Sequence, residues 1–228
     1  MIPDMAGKRD AAVLVAGLRM SFGGTEVLHG VDFDVRYGEV FCLLGPNGAG
    51  KTTTLEILEG FRPPTGGRVR AGDPDLIFLD EPTTGFDPEA RRRCWAAIEN
   101  LRGLGKTILL TTHYLDEAER LADRIAILRA GRIELCGTTH EVATRAGLAT
   151  RISFTTPSAL RRGQVPLPDG IDLAVRGSES VCHTGNAAMT LRLLLAWAHE
   201  HRLGDLDGLA VTAPRLEDTY LQLTRDLP

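Results

Sequence analysis

The feature that most constrains this 228-residue sequence is the segment Gly-Pro-Asn-Gly-Ala-Gly-Lys-Thr at residues 45–52. It matches Gly-x4-Gly-Lys-Thr, a pattern in which the backbone N–H groups of a tight loop cradle phosphates. An apolar run at residues 40–44 precedes it and a helical pattern over residues 51–59 comes after it, which is the strand, loop and helix context that the motif requires. The sequence therefore predicts a nucleotide-binding site, in which the helix N-terminus adds its partial positive charge.

The residues of this loop have distinct predicted tasks. Lys51 is expected to reach the β and γ phosphates, and the hydroxyl of Thr52 is placed to ligate Mg²⁺. The glycines let the backbone curl so that its N–H groups point at phosphate oxygens. The predicted nucleotide-binding residues of the loop are Gly45, Pro46, Asn47, Gly48, Ala49, Gly50, Lys51, Thr52 and Thr53.

Two adjacent acidic residues, Asp80 and Glu81, stand at the end of a second apolar run at residues 76–80. Asp80 is predicted to hold the same Mg²⁺, through water or directly. Glu81 is then free to polarise the water that attacks the γ-phosphate, as a general base. The alternative for Glu81 is that it only caps the end of the strand.

The residues around and after Glu81 point to a family. The stretch at residues 76–88 (LIFLDEPTTGFDP), Thr-Thr-His at 111–113 and Asp-Glu-Ala-Glu at 116–119 resemble, in content and order, the ATP-binding subunits of ABC transporters of the ABC-2 or drug-export type. The resemblance covers residues 12 to about 140 and implies that the chain binds and hydrolyses ATP with Mg²⁺. It also implies that His113 contacts the γ-phosphate and that Phe22 stacks on adenine, although a histidine at a strand end and a core aromatic are the alternatives.

The same resemblance implies partners and a location. We expect an ABC-2 type transmembrane permease subunit and a second ATP-binding subunit in a dimer. The chain would be cytoplasmic and peripheral to the inner face of the cell membrane, held there through the permease. Composition agrees, since no apolar run approaches the roughly 20 residues of a membrane helix, and four widely spaced cysteines favour reduced thiols. A net charge of −4 gives no reason to expect nucleic acid as a partner.

One departure from the family is large. ABC ATPases carry a strand ending in glutamine (the Q-loop), a helical subdomain and the signature Leu-Ser-Gly-Gly-Gln between the loop helix and the acidic strand. Here the chain runs on without them, as though a block had been excised between Arg70 and Ala71, and no glutamine occurs before Gln164. Because the family holds ATP between the phosphate loop of one subunit and the signature of another, a symmetric homodimer would have no complete site. Some apolar sheet surface should also be uncovered.

The sequence is compatible with three functional hypotheses. The chain could be an ATP-hydrolysing subunit of an export-type transporter. It could instead be an ATP-binding module that turns over only when a complete partner contributes its signature. Finally, it could be a truncated product without independent activity. The absence of the block from the sequence does not distinguish among these hypotheses.

The alternation of strands and helices predicts an α/β fold. We expect the three-layer core of a P-loop NTPase over residues 1–148, and the family resemblance implies that this core is of the ABC type and internally truncated. Residues 149–228 are predicted to form a small α+β domain, and the resemblance implies that it is an accessory domain with a role in stability or assembly. Core strands are predicted at residues 12–18, 31–35, 40–44, 76–80, 107–112, 124–128 and 132–136, and core helices at 51–59, 88–102 and 138–146. The accessory domain is predicted to contain strands at 151–155, 172–175, 181–184 and 209–212, and helices at 187–202 and 216–223.

Overall fold

The computed structural model describes residues 11–146 and 148–225, without the side chains of residues 221–225. The chain divides into two compact units between Val142 and Ala143. The elements that precede this division are β1 (Ala11–Phe22), β2 (Thr25–Arg36), β3 (Val40–Leu44), α1 (Lys51–Leu58), β4 (Gly66–Ala71), β5 (Leu76–Asp80), α2 (Pro88–Gly103), β6 (Thr107–Thr112), α3 (Leu115–Leu121), β7 (Arg124–Arg129) and β8 (Arg132–Gly137). The division between the two units lies within helix α4 (Thr139–Arg145).

The centre of the first unit is a five-stranded sheet with the strand order β5-β6-β3-β7-β8. Strands β5, β6, β3 and β7 run parallel, and β8 pairs with β7 in the antiparallel sense. Continuous apolar runs are typical of such parallel strands, because both faces of the sheet are covered. Strands β3 and β6 fit this description, since all of their residues are buried.

Strand β5 is less buried than β3 and β6. Its bounds are as predicted, but Leu76, Ile77, Phe78 and Leu79 are only half-buried and Asp80 is exposed. The reason is its position, because β5 lies at the edge of the sheet with β6 as its neighbour. An apolar run indicates a strand but not whether a further strand will cover its outer side.

The first unit has the layers of a P-loop NTPase. On one face of the central sheet, Phe41 and Leu43 of β3 join Leu55 of α1 and residues of β1 and β2 in one apolar core. Phe33 of β2 stacks on Phe41 with ring centroids 5.2 Å apart. Helix α3 packs against β3 and β6, and α2 packs against α3. The predicted α/β fold is therefore confirmed.

Strand β4 was not predicted. It pairs with β1 in an antiparallel sheet of order β2-β1-β4, within a stretch that the sequence indicated only as the connection to β5. The segment Gly-Gly-Arg-Val-Arg-Ala contains a single large apolar residue, Val69, so it lacks the alternation that identifies a strand. The free edge of β1, rather than local sequence preference, accounts for the strand.

The second unit contains an antiparallel sheet with the strand order β10-β11-β9-β12. Its elements are β9 (Thr150–Thr155), α5 (Ser158–Arg161), β10 (Leu173–Arg176), β11 (Glu179–Thr184), α6 (Ala187–Glu200), β12 (Ala210–Thr212) and α7 (Leu216–Arg225). Helix α6 packs on β9, and Phe154, Leu194 and Trp197 lie in the shared core. Within the described parts of the chain, no helix is long and apolar enough to cross a membrane.

Candidate functional site

The glycine-rich loop lies between β3 and α1, at the carboxyl end of the parallel strands. The Gly45 N–H donates to the carbonyl of Thr112, at 3.2 Å, which ties the loop to the end of β6. A Cβ atom at Gly45 would lie 2.2 Å from the carbonyl oxygen of Leu128, so only glycine fits. Gly50, the N-cap of α1, has φ 104°, which glycine adopts readily. The loop therefore requires glycine for both space and conformation.

Lys51 is the most buried charged group of the site, with 4% of its surface exposed. Its Nζ donates to the carbonyls of Gly45 at 2.9 Å and Pro46 at 3.2 Å, and lies 3.0 Å from Glu81 Oε1. An ammonium has three N–H donors, so these three acceptors satisfy it completely. A phosphate oxygen that approached Lys51 would replace one of these acceptors.

Glu81 connects Lys51 to His113. Its Oε2 lies 3.2 Å from His113 Nδ1 and accepts a hydrogen bond from the Thr84 hydroxyl, also at 3.2 Å. Burial by itself would raise the pKa of the Glu81 carboxyl, but the Lys51 ammonium, with His113 and Thr84, more than offsets this and holds the pKa below its ordinary value. The carboxylate is therefore ionised at neutral pH and able to accept a proton.

Asp80 and Thr52 are the candidate ligands for Mg²⁺. Both are exposed to the same cavity, and both offer the hard oxygen atoms that this ion prefers. No group of three or more metal-ligating side chains occurs among the described residues. Mg²⁺ commonly takes one or two carboxylates from a protein and its other ligands from phosphates and water, so Asp80 with Thr52 is a chemically suitable pair.

These residues line a cavity of about 530 Å³, within the usual size of small-molecule sites. Phe22 forms part of its wall and is 39% exposed, and the Arg62 guanidinium carbon lies 4.8 Å from the centroid of the Phe22 ring. The lining residues are Phe22, Val27, Asn47, Gly48, Gly50, Lys51, Thr52, Thr53, Asp80 and Glu81. The structure thus brings most of the predicted site residues into one cavity. Ala49 is buried, and Gly45 and Pro46 take part through their carbonyls.

Two neighbours of the cavity were not predicted to have a role. Val27 of β2 lines it, and Thr111 of β6 donates its hydroxyl hydrogen to Asp80 Oδ1 and accepts from the N–H of Glu81. A signal for Thr111 existed in the sequence, because two hydroxyl residues, Thr111 and Thr112, follow the apolar run at residues 108–110. Val27 gave no such signal, since one valine in a strand is ordinary.

Comparison with known families found two matches. The sequence profile of the ABC transporter family matches residues 28–75. A profile described as the C-terminal domain of ABC transporter domain-containing protein-like sequences matches residues 150–214. The first match ends directly before β5, close to the position where the sequence predicted a missing block.

Two curated relatives extend the comparison. The chain is 30% identical over 224 residues to the daunorubicin/doxorubicin resistance ATP-binding protein DrrA of Streptomyces peucetius, covering 60% of this chain and 68% of the relative. It is 29% identical over 300 residues to the Nod factor export ATP-binding protein I of Ralstonia nicotianae, covering 92% of each. That alignment is longer than the 228-residue chain, so the relative has residues within it that this chain lacks.

A solved structure described as the ATP binding subunit of an ABC transporter superimposes with a TM-score of 0.54 at 22% identity. The superposition covers 60% of this chain and 93% of that one. At this identity the likeness supports the fold, independently of the sequence matches.

Proposed function

This chain belongs to the family of ABC transporter ATP-binding subunits, and we propose that it binds MgATP in the cavity at residues 45–53 as the energy-supplying subunit of an exporter. Subunits of this family work with a transmembrane permease. Export is proposed from the two relatives, whose names describe Nod factor export and daunorubicin/doxorubicin resistance. The observation that carries the proposal is the contact of the buried Lys51 ammonium with the loop carbonyls and Glu81 inside one cavity.

The roles of the residues derive from their positions. The loop N–H groups and Lys51 hold the β and γ phosphates, and Phe22 provides the aromatic wall against which adenine stacks. Glu81, ionised and within reach of the phosphate end of the cavity, accepts a proton from the attacking water. His113, which contacts Glu81, is the proposed contact of the γ-phosphate on that side. Thr52 and Asp80 would hold Mg²⁺, which neutralises charge on the phosphates when it is bound.

Turnover is proposed to require a second subunit. The family places ATP between the phosphate loop of one subunit and the signature of another, and this chain carries the loop without the signature. A complete homologue can supply the missing half. We therefore favour an ATP-binding subunit that hydrolyses ATP only in a heterodimer, on the cytoplasmic side of an ABC-2 type permease. Residues 1–148 would form its ATP-binding domain, and residues 149–228 an accessory domain for stability or assembly.

The test mixes this chain with a complete homologue whose own phosphate-loop lysine is replaced by alanine, so that the homologue offers a signature but cannot use its own loop. We expect ATP hydrolysis in the mixture and none from either protein alone. The control is the Lys51→Ala variant of this chain, for which the mixture should be inactive. Hydrolysis by the unmixed chain would contradict the need for a partner, and a lack of MgATP binding would contradict the proposal as a whole.

A further inference from the structure

Thr111 contacts both acidic residues of the proposed site, although it lies outside the cavity lining. It is fully buried, at the end of β6 beside the end of β5. Its hydroxyl donates to Asp80 Oδ1 and accepts from the Glu81 N–H at 3.1 Å. The Thr111 carbonyl accepts from the same N–H, also at 3.1 Å. Thr111 thus restrains both the side chain of Asp80 and the backbone of Glu81.

The backbone of Glu81 needs such a restraint. Its φ is 46°, in the left-handed region that residues other than glycine rarely adopt. Conformations of this kind persist where the surrounding structure determines them. The Glu81 N–H, shared between two acceptors of Thr111, is the contact that holds this turn from the β6 side.

The hydrogen-bonding capacity of a hydroxyl gives the contact with Asp80 a direction. A threonine hydroxyl has one donor, and here that donor is directed to Oδ1 of Asp80. This restrains the rotation of the carboxylate and leaves Oδ2 for other ligands. The next residue, Thr112, accepts from the Gly45 N–H through its carbonyl at 3.2 Å, so consecutive residues of β6 hold the acidic pair and the phosphate loop.

We propose that Thr111 is a positioning residue that orients Asp80 toward Mg²⁺ and fixes the turn that places Glu81. This inference rests on the proposed function, because it assumes that MgATP occupies the cavity. The proposal distinguishes two contributions to ATP affinity. Binding of the triphosphate itself depends on the loop and on Lys51, whereas the additional affinity that Mg²⁺ provides depends on the hydroxyl of Thr111.

The test measures ATP affinity by calorimetry in Mg²⁺ and in EDTA, for the full chain and three variants. Thr111→Val keeps the shape and β-branching of the side chain but removes the hydroxyl, whereas Thr111→Ser keeps the hydroxyl. For Thr111→Val we expect unchanged ATP affinity in EDTA. The gain from Mg²⁺, meaning the ratio of ATP affinity in Mg²⁺ to that in EDTA, should be about tenfold smaller, because the variant loses a hydrogen bond to a charged group. Thr111→Ser should retain most of the gain.

The matched control is Thr107→Val, at the opposite end of the same strand. Thr107 is also buried, donates to Asp73 and accepts from the Gly38 N–H at 3.0 Å, so the variant removes the same kind of contact away from the cavity. It should leave the gain from Mg²⁺ unchanged. An undiminished gain in Thr111→Val, an equal loss in Thr107→Val or a failure of Thr111→Ser to retain the gain would each overturn the inference. Wild-type protein that binds no ATP would instead overturn the proposed function on which it rests.

Discussion

Strands β5 and β6 lie side by side and both end in the proposed site, yet their surroundings differ. All residues of β6 are buried, whereas the apolar residues of β5 are half-buried because β5 is the edge of the sheet. The phosphate loop comes after β3, which has a neighbouring strand on each side, whereas Asp80 is the last residue of β5 and Glu81 follows it. The phosphate-binding half of the site therefore follows a fully buried central strand of the sheet. The half that activates water follows an edge strand, and hydrogen bonds from β6 hold it in place.

The largest expected effect concerns the phosphate half. Lys51→Ala removes the buried ammonium and leaves Glu81 without its cationic partner, so we expect MgATP affinity to fall by about 3 kcal/mol, roughly 100-fold. Calorimetry measures this directly, with circular dichroism to verify the fold. Lys106→Ala is the matched control, because Lys106 pairs with Asp75 and is not among the residues that line the cavity. Wild-type affinity in Lys51→Ala would mean that the buried ammonium does not grip the triphosphate.

The next prediction tests the difference in burial itself. Leu79 of β5 and Leu110 of β6 are register partners, so the same substitution can be made at one level of the sheet. Leu110→Ala should cost about 3 kcal/mol of stability, because it opens a cavity in a fully buried site. Leu79→Ala should cost about 1 kcal/mol, because its side chain is only half-buried.

Urea unfolding measures these costs through the fluorescence of Trp95. The background substitution Trp197→Phe removes the tryptophan of the second unit, so that the signal reports the first unit. An equal loss of unfolding free energy at the two positions would mean that β5 is covered in solution by a surface from another copy of the chain. The difference in burial between β5 and β6 would then hold only for a single copy.

Much of this arrangement could be predicted from the sequence. The bounds of β3, β5 and β6 were predicted correctly, because continuous apolar runs between turn residues are strong local signals. The same holds for α2, which was predicted at residues 88–102 and spans Pro88–Gly103, and its N-cap residue Asp87 accepts hydrogen bonds from the N–H groups of Glu89 and Ala90. The phosphate loop was predicted for a similar reason, since glycine spacing and a lysine define it locally.

The features that could not be predicted depend on contacts between distant residues. Strand β4 forms because it pairs with β1, and β5 is half-buried because no described strand lies beyond it. The contact of Thr111 with the acidic pair crosses 30 residues of sequence and arises only from the pairing of β5 with β6. Patterns within one segment carry no information about such neighbours.

A smaller effect concerns the wall of the cavity. Phe22→Ala should weaken ATP binding by about 1–2 kcal/mol, roughly tenfold, because base stacking on an aromatic ring contributes this much. Binding of inorganic triphosphate, which has no base, should not change. Phe61→Ala is the control, because Phe61 is 81% exposed and does not line the cavity. Equal losses for ATP and triphosphate would show that Phe22 acts on the loop rather than on adenine.

The smallest effect should come from the segment directly after the acidic pair. The Asp87 side chain accepts from the N–H groups of Glu89 at 2.9 Å and Ala90 at 2.8 Å and so caps α2. Asp87→Ala should cost about 1 kcal/mol of stability, and Asp87→Ser, which can still cap the helix, much less.

Hydrogen exchange gives the spatial readout for this pair of variants. Because α2 begins a few residues after Glu81, loss of the cap should speed exchange in the first turn of α2 and in residues 82–87. The amides of β3, after which the phosphate loop begins, lie in the buried part of the sheet and should keep their protection. Exchange that rises equally in β3 would mean that the two halves of the site open together, so that loss of the α2 cap weakens the phosphate loop as well as the acidic pair.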